Sequence, residues 1–201
     1  MLRPVAAALA LALVVVPAAW AAPSTDVTDM PAGTYVLDKD HASIIAKVRH
    51  QGFSDYTVRF TGFDASFVWD PKSPTASKVT ATIAAASLDT GNPEHSKKFA
   101  QEFLAAGKAP TITFTSTAIT PGEGNKGTMT GDLTLRGVTR PVTLDVTWNG
   151  YANVLGSQRT GFSATTTIKR SEFGSEFLLK PPLAMVGDDV QLILELEFAK
   201  K

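Results

Sequence analysis

From Gly131 to Trp148 apolar and polar side chains alternate with almost no interruption. Leu133 and Leu135 alternate with Thr134 and Arg136; beyond Gly137 and Pro141, Val142, Leu144, Val146 and Trp148 alternate with Thr143, Asp145 and Thr147. A period of two is that of a strand, whose successive side chains point to opposite faces. The passage predicts an antiparallel strand pair, punctuated by Gly137 and Pro141, with one apolar and one wet face.

The same rhythm recurs along the chain. Gly33 to Leu37 opens the ordered part, and Ile44, Ala46, Val48 and His50 alternate with Ser43, Ile45, Lys47 and Arg49 as a second strand. Phe60 to Trp69 gives a third, with Ala65, Phe67 and Trp69 on one face, and Val79, Ala81, Ile83 and Ala85 a fourth. Later strands begin at Thr111 and, after the turn-rich stretch Pro121 to Gly127, continue into the pair described above. Phe162, Ala164, Thr166 and Ile168 share a face of the next strand, which Ser171 to Gly174 ends. In the last strand Val190, Leu192, Leu194, Leu196 and Phe198 alternate with Gln191, Glu195 and Glu197, broken only by Ile193.

One segment follows a different period. Phe99, Phe103 and Leu104 fall at i, i+4, i+5, after Asn92 as N-cap, Pro93 at the first helical position and Glu94 in the first turn. These signals predict one short helix over about residues 93–105, with Gly107 beyond its end. About eight or nine strands with one helix and no internal repeat indicate an all-β domain, either a closed antiparallel barrel or a sandwich. A barrel of about eight strands is filled by its own side chains or holds one small ligand. Periodicity alone leaves these alternatives open.

Four landmarks, in order, carry a resemblance. They are Leu37-Asp-Lys-Asp-His41 with Ser43, Pro110-Thr-Ile-Thr-Phe-Thr-Ser116, Gly131 through Pro141, and Gly161-Phe-Ser-Ala164 with Arg170-Ser-Glu-Phe-Gly174. Val186-Gly-Asp-Asp-Val190 before the Glu-containing last strand fits as well. In order and spacing the chain resembles the YceI-like polyisoprenoid-binding family. The resemblance implies an antiparallel lipocalin-like barrel over residues 33–199 whose apolar lumen takes a long isoprenoid or similar chain. The lumen candidates are then Val48, His50, Phe67, Trp69, Ile83, Phe114, Leu133, Leu144, Trp148, Phe162 and Ile168, and the expected partner is a polyprenol, polyprenyl phosphate, isoprenoid quinone or other long-chain lipid. The chain departs from the family pattern with Ala46 where Phe is common, Val58 and Ala65 where glycines are common, and Glu94-His95 in place of an Arg-Asp pair.

The N-terminus reads as a targeting signal. Arg3 supplies a positive end, Val5 to Val16 an apolar run, and Ala19-Trp-Ala21 a small-x-small cleavage site, so residues 1–21 are expected to be a signal peptide and the protein to be periplasmic. The apolar run is shorter than the roughly 20 residues of a membrane span and is interrupted by Pro17, so no stable transmembrane anchor is expected. Residues 22–32 lack periodicity and read as a flexible leader.

Arg3 is the one charged residue before Ala22, so the remaining 180 residues carry 18 Lys and Arg against 19 Asp and Glu. Such a balance gives no footprint for nucleic acid. With no Cys there is no disulfide, thiolate metal site or Cys nucleophile. A homodimer is left open.

Three sets of residues invite chemistry. Asp38, Asp40, His41 and Ser43 offer the residue types of a hydrolase, but no Gly-x-Ser-x-Gly surrounds any Ser, and Asp40 and His41 are expected to cap a turn. His41, His50 and His95 lack the i, i+4 spacing of a zinc helix, so no metal, cofactor or catalytic residue is assigned. Arg136, Arg140 and Arg170 have the guanidinium fork that suits a phosphate headgroup, although Arg136 and Arg140 flank a turn they would also stabilise.

Overall fold

The computed structural model describes residues 22–201, and the expected signal peptide over 1–21 lies outside the described residues. Ten strands follow in order: β1 (Gly33–His50), β2 (Ser54–Phe60), β3 (Phe63–Trp69), β4 (Lys78–Ala84), β5 (Leu88–Asp89), β6 (Thr111–Pro121), β7 (Lys126–Leu135), β8 (Val138–Val154), β9 (Ser157–Lys169) and β10 (Val186–Lys200). Helix α1 (Pro93–Leu104) lies between β5 and β6.

All pairings are antiparallel, in the order β3-β4-β6-β7-β8-β9-β10-β1, and residues 33–36 of β1 close the ring by pairing with residues 66–69 of β3. Eight strands thus form a closed barrel, the lipocalin-like all-β architecture expected, and closure removes the exposed edges that an open sheet presents. The second half of β1, Ile44 to His50, pairs instead with β2, and Phe60 and Arg59 of β2 pair with β5. This extension brings β5 and then α1 to the end of the barrel away from the leader.

Two expected strands, Gly33 to Leu37 and Ile44 to His50, are one strand. The pairing of β1 with β10 shifts register between Leu37 and Ala42. An irregularity there exchanges the parity of the inward positions: Tyr35 and Leu37 are buried before it, Ile44 and Ala46 after it. Strand β2 was not expected as such, although Tyr56, Val58 and Phe60 alternate with Asp55, Thr57 and Arg59; the expected third strand starts at Phe63, not Phe60.

The β7–β8 turn is narrower than Gly137 to Pro141. Arg136 and Gly137 have φ of 57° and 79°, both in the left-handed region that a two-residue hairpin turn requires. Pro141 lies within β8 opposite Asp132, and β8 pairs with β9 only from Asp145 onward. In a one-sided stretch a missing N–H is tolerated. At Gly131 a Cβ would lie 2.3 Å from Phe114 Cζ and 2.6 Å from the Thr115 carbonyl oxygen, so the Phe114 ring occupies the space a side chain would take.

Helix α1 has the boundaries its sequence predicts. Asn92 Oδ1 accepts from the amides of Glu94 and His95 at 3.0 and 3.2 Å, and Ala105 ends the helix at φ 54°. Ala100 is fully buried, and Phe99 and Leu104 pack on the core beside Ile112 and Leu135. The helix covers one end of the barrel.

Residues 22–32 are aperiodic, as expected of a leader, but they lie against the other end. Ser24 pairs with Tyr151, Val27–Asp29 form a 3-10 turn, and Met30 is 1% exposed. Trp69 Nε1 donates to the Met30 carbonyl at 3.0 Å and the Tyr35 hydroxyl to the Pro31 carbonyl at 2.9 Å.

An apolar cavity through the barrel as candidate functional site

The alternation that builds the strands turns one row of each inward, and the rows do not meet. They enclose a cavity of about 610 Å³, within the roughly 300–1,000 Å³ of small-molecule sites. Val48, His50, Phe67, Trp69, Ile83, Phe114, Leu133, Leu144, Trp148, Phe162 and Ile168 all line it. Ala46, Val58 and Ala65, the departures from the family pattern, line it too, as do residues of β2 and α1 that periodicity did not assign to it, Tyr56, Phe60, Phe99 and Phe103. Spacing within one strand cannot show that β2 and α1 fold back over the end.

The two ends differ. At the leader end Phe67 stacks on Tyr35 with centroids 5.2 Å apart and meets Phe162 and Phe198 edge-on at 5.7 and 5.0 Å. Tyr35, Met30 and Phe198 are buried there, while the cavity continues on the opposite side past Pro74, Ser77 and Pro121. Burial, with the nearby Tyr151, pushes the Tyr35 hydroxyl up to about 12. At the α1 end an arc of rings runs from His50 through Tyr56, Phe99 and Phe103 to Phe177, each 5.3–6.4 Å from the next. Stacked and edge-on aromatic pairs of this spacing hold a rim in place while leaving apolar faces toward the lumen.

Little polar surface faces the cavity, and several of the polar groups along it are bonded within the wall. Trp148 Nε1 donates to Thr160 Oγ1 at 2.8 Å, and that hydroxyl donates to the Gly150 carbonyl at 3.0 Å. Trp148 therefore has its one donor engaged in the wall. The Ser77 hydroxyl is the buried side-chain group without a hydrogen-bond partner among the described residues.

Arg170 is not a free headgroup ligand. It is 4% exposed, and it donates through Nε to Gly187, through Nη1 to Ser175 and Phe177, and through Nη2 to Val186, all to carbonyls at 2.7–2.9 Å. Burial pulls its pKa below the ordinary arginine value, with Asp188 opposing. Sequence reasoning could not see this because the partners are backbone carbonyls. Arg136 donates to the Glu102 carbonyl at 3.1 Å and Arg140 to that of Thr139 at 3.2 Å; neither lines the cavity.

Of the candidate hydrolase residues, Asp38 and His41 join Arg159 and Glu197 in an ion-pair cluster on the barrel wall, and Asp40 and Ser43 do not take part in it. His41 Nδ1 lies 3.0 Å from Asp38 Oδ2, and Arg159 donates to Asp38 and, at 3.5 Å, to Glu197. No turn forms here, since Asp38 to His41 lie within β1; the Asp38 carboxylate accepts from the Asp40 amide at 3.2 Å, and among the described residues the side chains of Asp40 and His41, expected to cap a turn, bond no backbone amide. Burial opposes charge on Asp38, but hydrogen bonds from Arg159, His41 and the Asp40 amide outweigh it and hold the carboxyl below its ordinary value. Asp38, His41 and Glu197 bring ligand-type atoms within 4.8 Å of one another, but the Arg159 guanidinium already supplies the positive charge between the two carboxylates. His50 faces Tyr56 and His95 stacks on Phe99.

Closed antiparallel strands around an apolar cavity, with one capping helix, define a lipocalin-like barrel. The chain belongs to the YceI-like domain family, which matches residues 35–198. It is 39% identical over 170 residues to a UPF0312 protein of Pseudomonas paraeruginosa and 38% identical over 170 residues to protein YceI of Escherichia coli O157:H7, in each case covering 83% of this chain and 86% of the relative. Among solved structures, Burkholderia cenocepacia BcnA has a TM-score of 0.72 at 28% identity, covering 80% of this chain and 98% of that one. A polyisoprenoid-binding domain from Saccharophagus degradans, implicated in plant cell wall breakdown, shares the fold with a TM-score of 0.62 at 15% identity, covering 83% and 98%.

Proposed function

We propose that the protein is an exported carrier that holds a long-chain amphiphilic lipid, a polyisoprenoid such as a polyprenol, polyprenyl phosphate or isoprenoid quinone, in the barrel without chemical turnover. The observation that carries this reading is the cavity of about 610 Å³ with an almost wholly apolar lining. The binding named for the Saccharophagus degradans domain of the same fold supports it, and the signal-like segment before Ala22 supports export to the periplasm.

The driving force is loss of apolar surface from water, roughly 0.8 kcal/mol per buried CH₂. A chain of ~20 carbons brings well over 10 kcal/mol gross; ordering of the chain and lost rotational freedom offset much of it, leaving micromolar to nanomolar affinity. No group in the lumen is required to react.

Mass spectrometry of organic extracts from natively purified protein tests the reading. A stoichiometric long-chain lipid is expected. Empty protein that also fails to take up added polyprenol, quinone and fatty acid would overturn it.

A further inference from the structure

At the α1 end two loops carry apolar side chains into solvent. Phe53, at the β1–β2 turn, is 84% exposed, and Leu183, in the loop before β10, is 58% exposed. The loops are joined: the Gln51 amide donates to the Met185 carbonyl at 2.8 Å, and His50 pairs with Val186. The Leu178 carbonyl accepts from the amides of Met185 and Val186 at 2.9 and 3.0 Å, so the residues between them bulge outward as a closed loop. Its outermost part, Lys180-Pro-Pro-Leu-Ala184, is exposed throughout and carries one charge.

This patch adjoins the cavity rim. His50, Leu178 and Val186 line the cavity, and each lies within three to five residues of an exposed tip. Phe99 completes that side of the rim, and the exposed Lys97 and Lys98 precede it with no ion pair among the described residues. Acids on the same segments are Asp55, which is paired with Arg49 at 3.2 Å, Glu176, which is paired with Lys180 at 2.8 Å, Asp189, which is paired with Lys169 at 2.7 Å, Asp188, which accepts from Ser171, and the exposed Glu94, Glu102 and Glu172. Lys97 and Lys98 thus stand as exposed cations beside the rim.

We propose that Phe53 and Leu183 dock the barrel on a lipid bilayer, entering the headgroup boundary so that the α1 rim faces the membrane. The chemistry is that of an interfacial anchor: a few apolar side chains beside cations that meet lipid phosphates. Proline at 181 and 182 and the tight turn at Gly52 hold the tips out at little cost in chain ordering. The proposal rests on the carrier reading for one point, that the cargo comes from or goes to a membrane.

The test uses the mature chain and vesicles of phosphatidylethanolamine with phosphatidylglycerol, read by co-sedimentation. The parent is expected to bind, and Phe53→Ser and Leu183→Ser each to weaken binding roughly tenfold, as loss of one buried apolar side chain implies. Leu155→Asn is the control: Leu155 is 97% exposed on the β8–β9 turn at the opposite end, where φ of 51° suits Asn, and it should bind as the parent does. Uptake of a fluorescent fatty acid from buffer reads the cavity alone and should be unchanged in all three, which also shows that they fold. Vesicle binding absent in the parent, unchanged by both rim substitutions, or weakened equally by Leu155→Asn would overturn the docking proposal. Normal fatty-acid uptake in that case would leave the carrier reading standing. A change of oligomeric state in the rim variants, with no change in vesicle binding, would assign the patch to self-association and overturn it as well.

Discussion

The guanidinium of Arg170 lies over the ring of Phe103, 5.3 Å from its centroid. Four hydrogen bonds from the same group reach Ser175 and Phe177 in the loop between β9 and β10 and Val186 and Gly187 at the start of β10, while Phe103 belongs to α1 and to the aromatic rim. One side chain thus ties the helix, the loop and the barrel end together.

Arg170→Met should therefore destabilise the protein by on the order of 4 kcal/mol, because several buried carbonyls lose a charged donor together. Arg170→Lys should recover little of this, since an ammonium cannot reproduce the planar fork. Urea unfolding of the three proteins checks both; near-wild-type stability of the Lys variant would show that charge rather than geometry matters.

Gly131→Ala should cost about 2 kcal/mol, in the range of overpacked cores, because the new methyl meets both the Phe114 ring and the Thr115 carbonyl. The ring can swing away into the cavity; the backbone oxygen cannot. Thermal unfolding reads the cost, and reduced ligand uptake would report the displaced ring.

Acid should weaken the fold through Asp38 and Asp188. Burial raises the pKa of Asp188, but the hydroxyl and amide of Ser171, with Lys169 and Arg170, lower it further, so its folded value lies below the ordinary one, as does that of Asp38. Depressed carboxylates contribute stability above the unfolded pKa, roughly 3.9, and lose it as pH falls through the folded value. Stability measured by urea at a series of pH values should be nearly flat down to about pH 5 and decline below about pH 4. Asp188→Asn should be less stable at neutral pH and show a shallower acid decline; an identical slope would remove Asp188 from the account.

His41→Ala should cost no more than about 1 kcal/mol, the range of exposed ion pairs, because the His41 side chain is 57% exposed. Ligand uptake should be intact. A variant of full stability that loses an esterase activity present in the parent would instead support a hydrolase.

What sequence made legible follows the locality of each signal. Alternation over 131–148 gives β7 and β8, and Asn92-Pro93 fixes the start of α1, since each signal and its structure span a few neighbouring residues. Strand β1 reads as two because the irregularity between Leu37 and Ala42 exchanges parity, and no residue type announces it. Alternation puts the eleven lumen candidates on apolar strand faces, yet whether those faces pack together or stand apart depends on ring closure, to which β1–β3 pairing contributes only four residue pairs. The role of Arg170 and the exposed Phe53–Leu183 tips were hidden for a further reason: both depend on contacts between segments over 100 residues apart or on backbone carbonyls that carry no sequence signature.

The carrier reading stands on a cavity that lipid can enter, and Leu144→Arg tests that most directly. Leu144 is 9% exposed and lines the cavity four residues from Trp148 on the same face of β8. An unpaired charge in a packed apolar interior is costly, whereas a hollow barrel can admit water to it. Tryptophan fluorescence of the parent titrated with polyprenol, quinone or fatty acid, alongside the same titration of Leu144→Arg, should show a saturable response in the parent and a folded variant that has lost it. An unfolded variant together with a parent that gives no response to any of the three lipids would contradict the account.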